Sequence, residues 1–353
     1  MISQISNNLK KIIKKFYKIT KPKYLNPKKK FSEKNCGIIE RLNRISPRES
    51  ITDREKLIKD LIDVFGIQAE FPLNLKEKVK GIKIIQNKIN YHGVIYDRSS
   101  FISYDGLEIP IYIIYPPNFD STKKYPTIII FSGHGSAKQA AFEVDSYQRG
   151  AGIALAKQGF LIYVMENRGM GDLSYLGNHL RIDAIARIIG GTWYGEVITD
   201  ALWLVENLHT EKNVDESRIG CAGVSTGGGL SMIISALDNS ITAAYIQGYL
   251  GSYRTTFGLR ANHCLCGHIP NILKICDMSD IASLIAPRSA LFVNGTADNF
   301  YYSDAEEEFK KILNILSKLD IENKFKFLAP EGVGHEFSVK IAIKWFSDRL
   351  ISF

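Results

Sequence analysis

Residues 218–229 read Arg-Ile-Gly-Cys-Ala-Gly-Val-Ser-Thr-Gly-Gly-Gly. A short apolar run leads to a serine with glycines two before and two after it. A helix-like run follows, with Leu230, Met232, Ile233, Ile234 and Leu237 as its apolar positions. A chain that passes from strand to helix through one residue holds that residue in strained geometry. Flanking glycines leave room for the strand and helix to pack closely. The string therefore predicts a strand, a sharp turn at Ser225 and a helix.

The surrounding pattern agrees. From about residue 98, apolar β-rich runs alternate with helical ones. Strands are expected at 100–104, 109–115, 127–131, 161–166, 218–223, 243–248, 290–294 and 324–328. The later ones are short, apolar on both faces and rich in Ile, Val and Phe, which suits a parallel sheet covered on both sides. Helices fit at 150–158, 197–208, 226–237 and 304–319. This order predicts a doubly wound, mostly parallel eight-stranded α/β sheet with helices on both faces. An N-terminal extension, residues 51–97, is expected to be helical and to pack on the body. Thr52 and Glu55 form a capping box there, as Ser303 and Glu306 do before the last long helix. The expected division is an arm and linker over 1–50, the extension, and a body over 98–353.

The arm carries the unusual charge. The chain of 353 residues has a formal charge of +8. Residues 1–30 hold ten lysines and no acid, leaving −2 for the rest. A near-neutral body argues against a nucleic-acid-binding domain. Ile5, Leu9, Ile12, Phe16 and Ile19 recur at helical steps among the lysines, a basic amphipathic pattern suited to weak contact with an anionic membrane or an acidic protein. Lysines interrupt every candidate signal-peptide core, and no apolar run reaches the ~18 residues of a membrane span. The expected location is cytoplasmic, with peripheral membrane contact through the arm allowed. With 45% hydrophobic and 23% charged residues the chain is not a disordered one, and five cysteines do not make a disulfide scaffold.

A serine nucleophile needs a base, and the base needs an orienting acid. In a sheet of this kind the chain order is Ser, Asp or Glu, then His. His335 follows the last expected strand in Pro-Glu-Gly-Val-Gly-His-Glu-Phe, where glycines mark a loop able to present the ring. Asp298 follows the penultimate strand, with Asp304 as the second choice. Ser225, Asp298 and His335 are the expected catalytic residues. The Thr226 amide would supply one oxyanion donor. The loop Phe131-Ser-Gly-His-Gly-Ser would supply the other, through the Ser136 amide, with His134 bracing that loop.

With these strings on the page, the chain resembles the dienelactone hydrolase and acetyl xylan esterase branch of the α/β-hydrolases. The matching elements are Gly133–Ser136, Glu166–Gly171, Gly223–Gly227, Asn294–Asp298 and Gly334–Phe337. The resemblance implies an α/β-hydrolase fold, ester hydrolysis and a bracing role for Arg168. Acetyl xylan esterases carry Gln after the nucleophile where this chain has Thr226, so sugar-ester specificity is not carried over.

Segments 172–196 and 249–283 are long enough to cap a site at the strands' C-terminal edge. Trp193, Tyr194, Tyr253 and Phe300 could wall it. Cys264, Cys266 and Cys276, with His263 and His268, could bind zinc. Cys-x-Cys is tight for one tetrahedral ion, however, and serine hydrolysis needs none. Buried structural thiols, no metal and no cofactor are therefore expected. The expected function is a serine hydrolase acting on a small carboxylic ester through an acyl-enzyme. A thioester, a lactone or a carbon–carbon bond is the alternative, and a non-catalytic binding protein on the same scaffold is the alternative of another class. A prolyl oligopeptidase-type peptidase normally carries a large N-terminal propeller, for which 97 residues are too few. The oligomeric state is not legible.

Overall fold

The computed structural model describes residues 37–45, 53–68, 79–260, 263–319 and 321–351. The basic arm of residues 1–30 and Thr52 lie outside them. Helices α1 (Gly37–Arg44) and α2 (Arg54–Phe65) precede strands β1 (Lys83–Tyr91), β2 (Val94–Ile102), β3 (Glu108–Tyr115) and β4 (Tyr125–Phe131). Then come α3 (Ala137–Phe142), α4 (Ala151–Ala156), β5 (Leu161–Met165), α5 (His179–Ile188), α6 (Trp193–Leu208) and β6 (Val214–Val224). The chain continues through α7 (Thr226–Leu237), β7 (Ile241–Gln247), α8 (Met278–Ser283), β8 (Ser289–Val293), α9 (Tyr302–Leu316), β9 (Phe325–Leu328) and α10 (Val339–Phe346).

Among the described residues the strands form one nine-stranded sheet in the order β1-β2-β3-β5-β4-β6-β7-β8-β9. The first three strands and the β3–β5 pair are antiparallel. The run from β5 to β9 is parallel. This is the expected α/β-hydrolase architecture with one strand more than the sequence showed. The extra strand, β1, falls in the extension expected to be helical. Its residues, Lys-Ile-Ile-Gln-Asn-Lys-Ile-Asn-Tyr, are exposed almost throughout, so no apolar alternation marks it. The extension is thus a helix, α2, followed by an edge strand.

Three more expectations change. Helix α2 is capped by Asp53, whose side chain accepts the Lys56 amide at 2.9 Å. Helix α9 starts at Tyr302 without a side-chain cap, so Ser303 and Glu306 lie inside it. The stretch expected to be only arm and linker contains α1. That helix is docked: the Arg254 guanidinium donates to the carbonyls of Leu42 and Ile45 at its C-terminal end.

Strand residues alternate between two cores. Ile129, Phe131, Tyr163 and Met165 face the side covered by α2, α6, α7, α8 and α9. Ile128, Ile130, Ile162 and Val164 face α3, α4 and α10. Burial on both sheet faces explains why the central strands read as unbroken apolar runs.

Arg168 anchors the loop after β5, as the resemblance implied. Its Nε and Nη2 donate to the two oxygens of Asp200, both at 2.7 Å, and Nη1 and Nη2 reach Asp105. Asp200 is fully buried, and burial raises its pKa against the pull of Arg168. Removing the cation would leave that carboxylate uncompensated. Arg168→Leu is therefore expected to cost about 3–5 kcal/mol in urea unfolding. A loss below about 1 kcal/mol would show that the bidentate pair is not holding this loop.

Glu166 sits beside it. Its Oε1 accepts the Ala137 and Asn167 amides at 3.0 and 3.3 Å, and Oε2 accepts that of Asp172 at 3.2 Å. Burial outweighs those donors and pushes the carboxyl up to about 7. Between about pH 4.5 and 7 the folded chain thus keeps a proton that the unfolded chain has released. This group's contribution to stability falls as pH rises through that window, by roughly 1 kcal/mol per unit. Denaturant midpoints of wild type and Glu166→Gln across pH 4.5–7.5 should differ in slope, the variant being flatter. Parallel profiles would mean that Glu166 ionises as freely folded as unfolded.

Candidate active site

The site lies where β4, β6, β7 and β8 end. Ser225 links β6 to α7 at φ 62° and ψ −132°, a conformation rare for a residue with a Cβ. The neighbours enforce it. A Cβ on Gly223 would lie 2.2 Å from Gly227, and one on Gly227 would lie 2.0 Å from the Phe131 carbonyl oxygen. The Ser225 amide donates to the Gln247 carbonyl at 2.9 Å, fixing the turn against β7.

Asp298 and His335 come together from two loops. Their backbones are stitched: the Thr296 amide donates to Pro330, and that of Ala297 to Val333. His335 Nδ1 lies 2.8 Å from Asp298 Oδ1, which also accepts the Phe300 amide at 2.8 Å. Asp298 is buried, and its Oδ2 has no partner among the described residues. The imidazole is sandwiched between Tyr147 and Phe300, with centroids at 5.8 and 5.7 Å and both planes tilted by 13°. Asp304, the second choice for the acid, is instead paired with Arg260 through two contacts of 2.7 and 2.8 Å.

Ser225, Thr226 and His335 line one cavity of about 270 Å³. Segments 172–196 and 249–283 both contribute: Tyr194 comes from the first, and Phe257, His263, Cys264 and Cys266 from the second. Of the four aromatic candidates, Tyr194 and Phe300 reach the cavity. Trp193 is buried, with its indole N–H on the Arg168 carbonyl. Tyr253 is buried in the core.

The expected second oxyanion donor does not fit. The Ser136 amide donates to Gln139 Oε1 at 3.1 Å, in a capping box that starts α3. Ser136 is not among the cavity-lining residues. Two other groups stand there. His134 lines the cavity and its amide faces the Tyr147 hydroxyl. That hydroxyl, which also faces Ser225, is buried without a hydrogen bond of good geometry, and burial raises its pKa against the pull of both. Nothing in the spacing of Ser-Tyr-Gln-Arg singles out Tyr147. Only the fold brings it here.

The cysteines also regroup. The thiols of Cys264 and Cys266 meet the imidazoles of His134 and His179, whereas the His268 ring lies on the Cys264 carbonyl at 3.1 Å. His134 Nε2 lies 3.2 Å from Cys266 Sγ, and His179 Nε2 lies 3.2 Å from Cys264 Sγ. The Cys264 thiol is drawn far below its ordinary value, first by the Cys266 thiol beside it and then, against burial, by the two imidazoles. Cys266 is pushed up correspondingly. His263 packs on Phe300 at 4.2 Å and is pushed down to about 4 by burial and by His335.

The acetyl xylan esterase (AXE1) family profile matches residues 77–280. That is more than half of the chain, and the chain belongs to this family of α/β-hydrolases. The relatives it matches carry the names of esterases and of peptidases. A Bacteroides fragilis protein assigned as an acetyl xylan esterase superposes with a TM-score of 0.72 at 15% identity, covering 92% of this chain and 97% of that one. Acetyl xylan esterase 1 from Thermoanaerobacterium superposes with a TM-score of 0.59 at 18% identity, covering 89% and 98%. The "Probable dipeptidyl-aminopeptidase B" of Ajellomyces capsulatus is 27% identical over 230 residues, 63% of this chain and 23% of that protein. The chain spans about a quarter of the length of such curated relatives. No helix among the described residues is long and apolar enough to cross a membrane.

Proposed function

We propose that the protein hydrolyses small carboxylic esters through a Ser225 acyl-enzyme. The observation that carries this is that His335, oriented by the buried Asp298, and a strained Ser225 line the same small capped cavity. His335 Nε2 takes the Ser225 proton as Oγ attacks the carbonyl. Asp298 accepts the Nδ1–H, which fixes the tautomer and stabilises the imidazolium that forms. The Thr226 amide, at the first position of α7, has no acceptor within its own helix. With the His134 amide and the Tyr147 hydroxyl it receives the oxyanion. The alcohol leaves with the proton held by His335, and water activated by the same imidazole releases the acid.

The dipeptidyl-peptidase relatives favour a second reading, cleavage next to a free N-terminal dipeptide. Binding an ammonium group calls for carboxylates. The described lining of the cavity is aromatic, imidazole, thiol, hydroxyl and amide, with no Asp or Glu. At about 270 Å³ the cavity also falls just below the usual range for drug-sized ligands. Both features favour a short, uncharged acyl group over a dipeptide.

Steady-state kinetics on p-nitrophenyl esters from acetyl to octanoyl, beside dipeptidyl p-nitroanilides, decide between the two. The expected result is the highest kcat/KM on the shortest esters, with Ser225→Ala down by ~10⁶ in kcat. Efficient turnover of the anilides alone would favour the peptidase. A Ser225→Ala variant retaining a tenth of the activity would place the nucleophile elsewhere.

Tyr147→Phe keeps the ring on His335 and removes only the hydroxyl. It should lower kcat by ~10²–10³ with KM nearly unchanged, as expected for a donor used in the transition state. An unchanged kcat would leave the oxyanion to backbone amides alone.

A further inference from the structure

We propose that His134, His179, Cys264 and Cys266 form a Cys2His2 site for one zinc ion, which clasps the cap to the oxyanion loop. Their four ligand atoms, two imidazole nitrogens and two sulfurs, lie within 4.8 Å of one another. Bond lengths of about 2.0–2.1 Å to nitrogen and about 2.3 Å to sulfur give a tetrahedron with edges of roughly 3.3–3.8 Å. The two nitrogen–sulfur contacts, both 3.2 Å, are already close to such an edge. Small rotamer adjustments bring the four groups onto one centre. Two thiolates and two imidazoles in tetrahedral array select zinc over the hard cations.

Three separate segments supply the ligands. His134 is in the loop after β4, His179 opens α5, and the cysteines lie in the loop that follows β7. The surroundings prepare them. A ligating histidine usually donates its other N–H to a fixed acceptor. His134 Nδ1 lies 2.9 Å from Thr226 Oγ1, and Thr226 is the residue after Ser225. Arg187, on α5, donates to the carbonyls of Leu265 and His268, at 3.3 and 2.7 Å, and so holds the cysteine loop against that helix. Cys264 and Cys266 are free thiols, so no disulfide competes for them.

Four protein ligands leave no place for a substrate, and two thiolates balance the ion's charge. The ion's role is therefore positional. His134, Cys264 and Cys266 all line the cavity, so the clasp sets one wall of it and steadies Thr226. The sequence pointed instead to the near neighbours His263 and His268. The actual partners stand 132 and 85 residues away, at distances no local motif encodes.

The test uses the full chain, purified reduced, with its thiols counted before loading. Elemental analysis after Zn²⁺ loading and gel filtration should find one zinc per chain. Co²⁺ should give the thiolate charge-transfer and intense d–d absorption of a tetrahedral sulfur-bound ion. Cys264→Ser and His179→Ala should each weaken zinc binding at least 100-fold, while Cys276→Ser keeps one equivalent. Ser225→Ala should lose turnover and keep its zinc, so the metal result stands apart from the catalytic one. Should a ligand variant fail to fold, the cobalt spectrum of the wild type decides. Less than a tenth of an equivalent in reduced wild type, equal binding by Cys264→Ser, or a cobalt spectrum without thiolate bands would each overturn the proposal.

Discussion

The site depends on backbones that approach more closely than any side chain would permit. At the end of β6 the chain turns into α7 through Ser225, and Gly223 and Gly227 lie in contact with each other and with the end of β4. Only that approach allows a left-handed serine to be held between two strands without separating them. The strain at Ser225 is supported by the sheet: its amide is bonded to β7, and the helix that follows is buried along its whole length. The Thr226 amide inherits its direction from the same turn. Disturbing the glycines would therefore displace Ser225 and the Thr226 amide together.

Around this fixed point the fold assembles the other parts by parallel strand order. Neighbouring parallel strands end on one edge, so the loops after β4, β6, β8 and β9 converge there although they are far apart in sequence. The Asp298 and His335 loops are joined by main-chain hydrogen bonds, and His335 is clamped between two rings. Its orientation thus rests on packing as well as on Asp298. The two long insertions close over this edge, which makes the cavity small.

What could be read in advance follows the range of the interactions. The placement of Ser225, Asp298 and His335 at one sheet edge could be read because each sits at a fixed step of a repeating strand–helix pattern. The central strands were visible because burial on both faces leaves an unbroken apolar run. β1 was invisible because Lys83–Tyr91 is an exposed edge strand with no buried face to pattern it. Ser136 misled for a local reason: Ser136-x-x-Gln139 is a capping signal, and the capping bond occupies the amide assigned to the oxyanion. Tyr147 and His179 could not be found from the sequence. Their neighbours in the structure come from contacts across the fold, and a tyrosine in a loop or a histidine at a helix start carries no mark of its tertiary partners.

The central claim is that Ser225 is a nucleophile activated by the Asp298–His335 pair. Intact and peptide mass spectrometry after a short exposure to a fluorophosphonate tests it most directly. The account predicts one phosphonyl adduct per chain, located on Ser225, and formation slowed by orders of magnitude in His335→Ala. An adduct on another residue, or labelling of Ser225 at the same rate without His335, would contradict it.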